Sequence, residues 1–182
     1  MERFLTLRSK FIEIADLEKY KRLRVQLHGA GILQRDEVFG SDLKTKKQQV
    51  VRTGDFIVAE IDAKVGGFGL VPESLNGGVV SSHYFIFDVD EQVCLRSWLE
   101  VVIRSGRIEE QVMARGSTNY AAVRPSAVLG LEIPLPEDVR TQHKLVQAVR
   151  EVDDVVRLHQ ETGQELRAVQ KAVVAKAIGN LL

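Results

Sequence analysis

One cysteine, Cys94, is present in 182 residues. That excludes a disulfide framework and a zinc site built on paired cysteines. No apolar run approaches the ~20 residues of a membrane span, and the first eight residues lack the apolar core of a signal peptide. These absences predict a soluble protein of the reducing cytoplasm. An excess of one charge is missing too: 25 Lys and Arg stand against 25 Asp and Glu, which excludes a uniformly basic nucleic-acid binder. His28, His83, His143 and His159 are scattered, with no H-x-x-x-H pair, so no metal site is predicted. Ser81 and His83 share a strand face, but the G-x-S-x-G elbow of a serine hydrolase is absent. Gly66, Gly67 and Gly69 form neither G-x-G-x-x-G nor a Walker loop, which leaves nucleotide binding unsupported. No S-adenosylmethionine motif and no internal repeat is visible.

What is present belongs to a globular protein. Hydrophobic residues make up 45 % and charged residues 27 %, enough apolar material for a real core. The charge is unevenly spread. Residues 1–52 hold 12 Lys/Arg against 7 Asp/Glu, and the remainder holds 13 against 18. A basic face is therefore possible on a neutral protein.

The stretch from Gly54 to Pro72 is central. Ile57, Ala59 and Ile61 alternate with Val58, Glu60 and Asp62, which predicts a half-buried strand followed by a glycine turn. Val79–Val89 predicts the next strand, after turn residues Pro72, Asn76, Gly77 and Gly78. Upstream, a short helix is expected over Ile14–Lys21 and a strand over Arg22–His28. Gln34–Gln49 is polar and reads as a loop. Arg35, Lys44, Lys46 and Lys47 there are candidates for phosphate contacts, and Gln48 and Gln49 for base contacts. Helical spacing of Leu95, Trp98, Leu99, Val102 and Ile103 predicts helices near 95–104 and 105–113, with Trp98 in the core. Arg115, Ser117, Asn119, Tyr120 and Arg124 form a hydrogen-bonding loop, and Leu129–Leu135 reads as a short strand closed by prolines.

Beyond Asp138 the period changes. Leu145, Val149, Val152, Val156, Leu166 and Val173 fall on a heptad seam with no proline inside it. A helix of about 40 residues at ~1.5 Å each is roughly 60 Å long, and its apolar stripe calls for a partner helix. Gly163, His159 and Gln170 weaken the seam, so a helical hairpin broken at Gly163 is the alternative. The expected fold class is α+β: a small mixed globular domain over residues 1–136 and a long coiled-coil-type helix over 137–182.

Four segments in order, GDFIVAEIDAKVGGFGLVP, GGVVSSHYFIFDV, RGSTNYAAVRP and LEIPLP with a Gln beyond it, resemble the DNA-specificity subunit of type I restriction–modification systems. The resemblance runs from about Leu23 to Leu182, over one target-recognition domain and the helix after it. It implies a non-catalytic DNA reader, for which the residues themselves offer Arg35, Lys44, Lys46 and Lys47 as phosphate and groove contacts and Lys64, His83, Arg115, Ser117, Asn119, Tyr120 and Arg124 as further candidates. It implies as partners double-stranded DNA, an adenine methyltransferase subunit and a motor–nuclease subunit. S-adenosylmethionine, ATP and Mg2+ would belong to those partners and not to this chain. Members of the family carry two recognition domains and two long helices, and one of each is seen here. Either a half-sized subunit that pairs with a second copy through its helix, or a chain that works with a separate partner, is therefore implied.

Two other readings compete. Asp62-Ala-Lys64, with Asp42 and Asp55 upstream, resembles the D-x-K triplet of a PD-(D/E)xK nuclease, in which carboxylates hold Mg2+ and the lysine steadies the attacking water. A protein-interaction adaptor, built on the long helix, is the other.

Overall fold

A computed structural model describes residues 1–114 and 123–179. They form two units, Met1–His143 and a second that starts at Lys144. The first contains nine strands, β1 (Leu5–Arg8), β2 (Phe11–Glu13), β3 (Lys19–Val25), β4 (Ile32–Phe39), β5 (Lys47–Val50), β6 (Phe56–Ala59), β7 (Phe68–Leu70), β8 (Val79–Val80) and β9 (Tyr84–Val89). Helices α1 (Arg96–Arg104), α2 (Arg107–Ala114) and α3 (Pro125–Leu129) follow, and α4 (Val139–Gly179) begins in this unit and makes up the second.

The strands divide between two sheets. One runs β1-β9-β6-β7 and is antiparallel throughout. The other runs β2-β5-β8-β3-β4, with β8 parallel to β3 and the remaining pairs antiparallel. β6 is the centre of the core. Phe56 and Val58 point into a cluster with Phe68, Phe87 and the apolar faces of α1 and α2, supplied by Leu99, Val102, Ile103, Ile108 and Val112. The Phe56 ring lies 6.2 Å from each of Phe68 and Phe87, tilted against both, a favoured aromatic arrangement. Ile57 points the other way, into a cluster with Leu23, Val51, Val71, Val80 and Ile86.

That double burial corrects the half-buried strand expected at Ile57–Asp62. All four residues of β6 are buried, because a strand covered on both faces needs apolar residues at every position. The strand stops at Ala59. Ile61 is exposed, and Asp62–Val65 winds into a 3-10 turn that ends on Gly66. Gly66 has φ +74°, and a Cβ there would lie 2.6 Å from the Cα of His28. The missing side chain lets the β3–β4 turn approach, so that the His28 and Gly29 amides donate to the Val65 and Gly66 carbonyls at 2.7 and 2.9 Å.

Four further expectations are corrected. The helix over Ile14–Lys21 is absent: from Lys19 onward the chain is β3, paired with β4 from Lys19↔Phe39 to Val25↔Ile32. Gln34–Phe39 is not loop but the polar half of β4, which lies at a sheet edge and so tolerates polar residues. Val79–Val89 is two strands in different sheets, β8 and β9, with the chain crossing between sheets at residues 81–83. Leu129–Leu135 forms no strand: Leu129 closes α3, and Pro134 and Pro136 have no N–H for a ladder. The Trp98 indole is partly buried against the core and donates to the Pro134 carbonyl at 2.8 Å.

The start of α4 is tied down by polar contacts. The Asp138 carboxylate accepts the Thr141 amide at 2.8 Å and the Thr141 hydroxyl at 2.6 Å. Those bonds hold its carboxyl below the usual carboxylate range. The side chain of Gln142, wholly buried, donates to the Val93 carbonyl at 2.9 Å and the Pro136 carbonyl at 3.2 Å and accepts the Leu95 amide at 2.9 Å. From Val139, α4 runs 41 residues without a break at Gly163, which corrects the hairpin alternative. Along it Leu145, Val152, Val156, Leu166 and Val173 are all exposed.

Cys94 is fully buried, and burial, then Glu91, pushes its thiol up to about 12. A pKa that high leaves about a thousandfold less thiolate at pH 8 than a free cysteine has. A thiol reagent at pH 8 should leave the folded chain unlabelled and modify one thiol per chain in denaturant.

Candidate nucleic-acid interface

The β3–β4 hairpin is rich in basic residues: Lys19, Lys21, Arg22 and Arg24 on β3 and Arg35 on β4. Its register is interrupted. Arg22 pairs with Asp36 and Leu23 with Gln34, so Arg35 is an extra residue with no partner across the ladder. Such a bulge re-aims the side chain it carries. Here it lies beside a concave cleft of about 530 Å3.

The cleft collects residues from both sheets. Arg22, Arg24 and Arg35 line it from the hairpin, Asp42 and Lys44 from the turn after β4, Gln48 from β5, and Glu60 and Asp62 from the segment after β6. Ser81 and His83, from the crossing between sheets, and Tyr84 complete it. Cations and carboxylates are mixed. Arg22 is already matched: its Nε donates to Asp36 Oδ1 at 2.6 Å, and a second guanidinium nitrogen bonds Oδ2. The Arg22 guanidinium, helped by Arg35, holds the Asp36 carboxyl below the usual carboxylate range. His83 Nδ1 lies 3.0 Å from Glu60 Oε2. Burial, with the nearby Asp62 charge, pushes the Tyr84 phenol up.

Arg35, Lys44 and His83, all read as candidates from the sequence, meet at this cleft. The other basic candidates lie elsewhere. Lys46 Nζ donates to Asp16 Oδ1 at 2.5 Å and to the Gly40 carbonyl at 2.6 Å, joining two turns. Lys47 Nζ lies 4.8 Å from the centre of the Phe11 ring. Lys64 is part of the 3-10 turn after β6, and Arg124 is exposed at the start of α3. Arg115, Ser117, Asn119 and Tyr120 lie outside the described residues. Gln48 and Gln49 are buried and bond backbone carbonyls, Gln48 that of Thr45 and Gln49 those of Ser81 and Tyr84. Gln49 is thus a strut between the sheets and no base reader. Sequence reasoning missed Arg22, Arg24 and Asp36. The signal was the basic face of the strand, Arg22-Leu-Arg24.

The nuclease constellation assembles only in part: Asp42 and Asp62 line the cleft, without Asp55 or Lys64. Asp55 is buried and bonded to Arg8 and to the Arg52 amide, and Asp62 opens a 3-10 turn and not a strand end. Among the described residues no group of three or more His, Cys, Asp or Glu is placed to hold a metal ion. Nor, among them, is any helix long and apolar enough to cross a membrane.

No family model matches the chain. It is 22% identical over 135 residues to the type I restriction enzyme HindI specificity subunit of Haemophilus influenzae, a match covering 72% of this chain and 29% of that protein. The HsdS subunit from Thermoanaerobacter tengcongensis superposes with a TM-score of 0.62 at 22% identity, over 81% of this chain and 43% of that one. A chain from a structure of a type I restriction–modification system, solved to explain complex assembly and conformational transition, gives 0.61 at 22%, over 94% of this chain and 50% of that one. The chain therefore spans half or less of the length of each of these three relatives. Over that span, the two sheets with a long C-terminal helix share the fold of the HsdS subunit.

Proposed function

We propose that this chain is a sequence-specific DNA-recognition module of a type I restriction–modification system and catalyses nothing itself. The observation that carries this reading is the cleft, which brings Arg35, Lys44 and His83 together on a fold shared with specificity subunits. The globular unit reads one half of a bipartite site. The exposed apolar stripe of α4 takes a second helix, from another copy of the chain, and offers an adenine methyltransferase subunit its docking surface. A motor–nuclease subunit completes the assembly where cleavage occurs. S-adenosylmethionine, ATP and Mg2+ act in those partners. Two copies related by a two-fold axis pair their helices antiparallel and favour a palindromic target whose gap follows helix length.

Lys44 serves as a phosphate contact in this arrangement. Anisotropy titrations of a duplex across a salt series test it. Binding should weaken steeply with salt, and Lys44→Ala should lower the slope of log K against log salt by about one while weakening all sequences alike. Salt-independent binding, or no binding, would favour the adaptor reading.

A further inference from the structure

We infer that Arg35 reads a guanine through its O6 and N7 edge, and that Asp36 is the positioning residue that aims it. The inference rests on the DNA-binding reading above and deepens it.

Three observations carry it. Arg35 is the unpaired residue of the β4 bulge, so the ladder does not dictate where its side chain points. Asp36 lies between two guanidinium groups: it is bonded twice to Arg22, and its Oδ2 is 3.7 Å from Arg35 Nε. A carboxylate on the Nε side leaves the terminal nitrogens of Arg35 as a pair of donors, the geometry that a guanine edge accepts. Arg35 itself keeps 61% of its side chain exposed, while Arg22 is committed to the fork and only 30% exposed.

The charge around the cleft decides between base and phosphate. Asp42, Glu60 and Asp62 line the same cleft. Three carboxylates set against Arg22, Arg24, Arg35 and Lys44 leave a phosphate no unopposed positive field, whereas the O6 and N7 edge of guanine is neutral and presents two acceptors to a pair of donors. A cleft of mixed charge therefore suits base edges. Lys44, which lines the same cleft, is left to the backbone.

Site selection from a randomised duplex library tests the assignment, using the full chain alone and with the methyltransferase proposed as its partner. The wild type should require guanine at one position of its half-site. Arg35→Ala should lose the preference at that position alone and bind the best site about tenfold to a hundredfold more weakly. Arg35→Lys should not restore it, because an ammonium does not present two fixed donors. Asp36→Asn should weaken the preference at the same position, whereas Lys44→Ala should leave every preference in place. The protein need not be altered at all: 7-deazaguanine at that position, which lacks N7, should cost the wild type affinity and leave Arg35→Ala unaffected. An unchanged preference in Arg35→Ala, or indifference of the wild type to 7-deazaguanine at every guanine, would overturn the assignment and leave DNA binding intact. A wild type that binds no duplex would overturn both.

Discussion

Asp55→Ala should destabilise the folded chain by about 3–5 kcal/mol, the cost of breaking a buried ion pair by removing one partner. Asp55 is 3% exposed and its oxygens are fully used. Oδ1 accepts Arg8 Nη1 at 2.9 Å, while Oδ2 accepts the Arg52 amide at 2.6 Å and a second bond from Arg8. Arg8 also bonds Asp88. The cluster therefore joins the end of β1 and a residue of β9 to the residue just ahead of β6, across three adjacent strands of one sheet. Without Asp55 the Arg8 guanidinium, 13% exposed, keeps Asp88, which is half exposed, and a long bond to the Val50 carbonyl at 3.5 Å, and the Arg52 amide loses its acceptor. Urea unfolding monitored by circular dichroism measures the effect. Arg8→Met in the Asp55→Ala background should recover much of the loss, since the unpaired charge is what costs most. A loss below about 1 kcal/mol would place the pair among surface ion pairs.

The same residue shows what the sequence could and could not convey. In one dimension Asp55 lies seven residues before Asp62 and resembles part of a metal-binding set. Nothing local reveals that Arg8, 47 positions away, claims it. Local periodicity did carry α1, α2 and α4, because a helical stripe is written in consecutive turns. It did not carry the division into two sheets. Val79–Val89 reads as one strand candidate, and pairing with β5 and β3 on one side and with β1 and β6 on the other splits it at the polar Ser81-Ser82-His83. The site follows the same logic. Lys44, Lys46 and Lys47 are neighbours in sequence, yet the fold sends the first to the cleft, the second to Asp16 and the third onto Phe11. Arg22 and Arg35 are 13 positions apart and meet because the hairpin aligns them and the bulge at Arg35 shifts the register. Asp36 gave no signal of its own: a carboxylate after an arginine is common, and only the ladder places it opposite Arg22.

Val152→Asp with Val156→Asp should abolish assembly while leaving the fold of the chain unchanged, and the two effects separate cleanly. Val152 is 62% exposed and Val156 49% exposed. Surface substitutions of this kind cost a chain by itself about 0.5 kcal/mol or less beyond the lower helix propensity of Asp. In a paired helix the same two positions are seam positions, buried against a partner, and each carboxylate would have to lose its water without gaining a counter-charge. A combined penalty of about 4 kcal/mol or more corresponds to about a thousandfold weaker association. The stripe is also wider than a two-position seam. Val155 and Val169, each one residue before a seam position, are 61% and 60% exposed. That width suits a helix that meets more than one neighbour, as the proposed pairing with a second copy and with a methyltransferase requires. Sedimentation velocity of the wild type and the double variant, alone and with the methyltransferase subunit, reads both contacts, and thermal unfolding followed by circular dichroism checks the fold. A wild type that stays monomeric at high concentration would remove the second copy from the proposal. A double variant that assembles as the wild type does would remove the helix stripe as the interface.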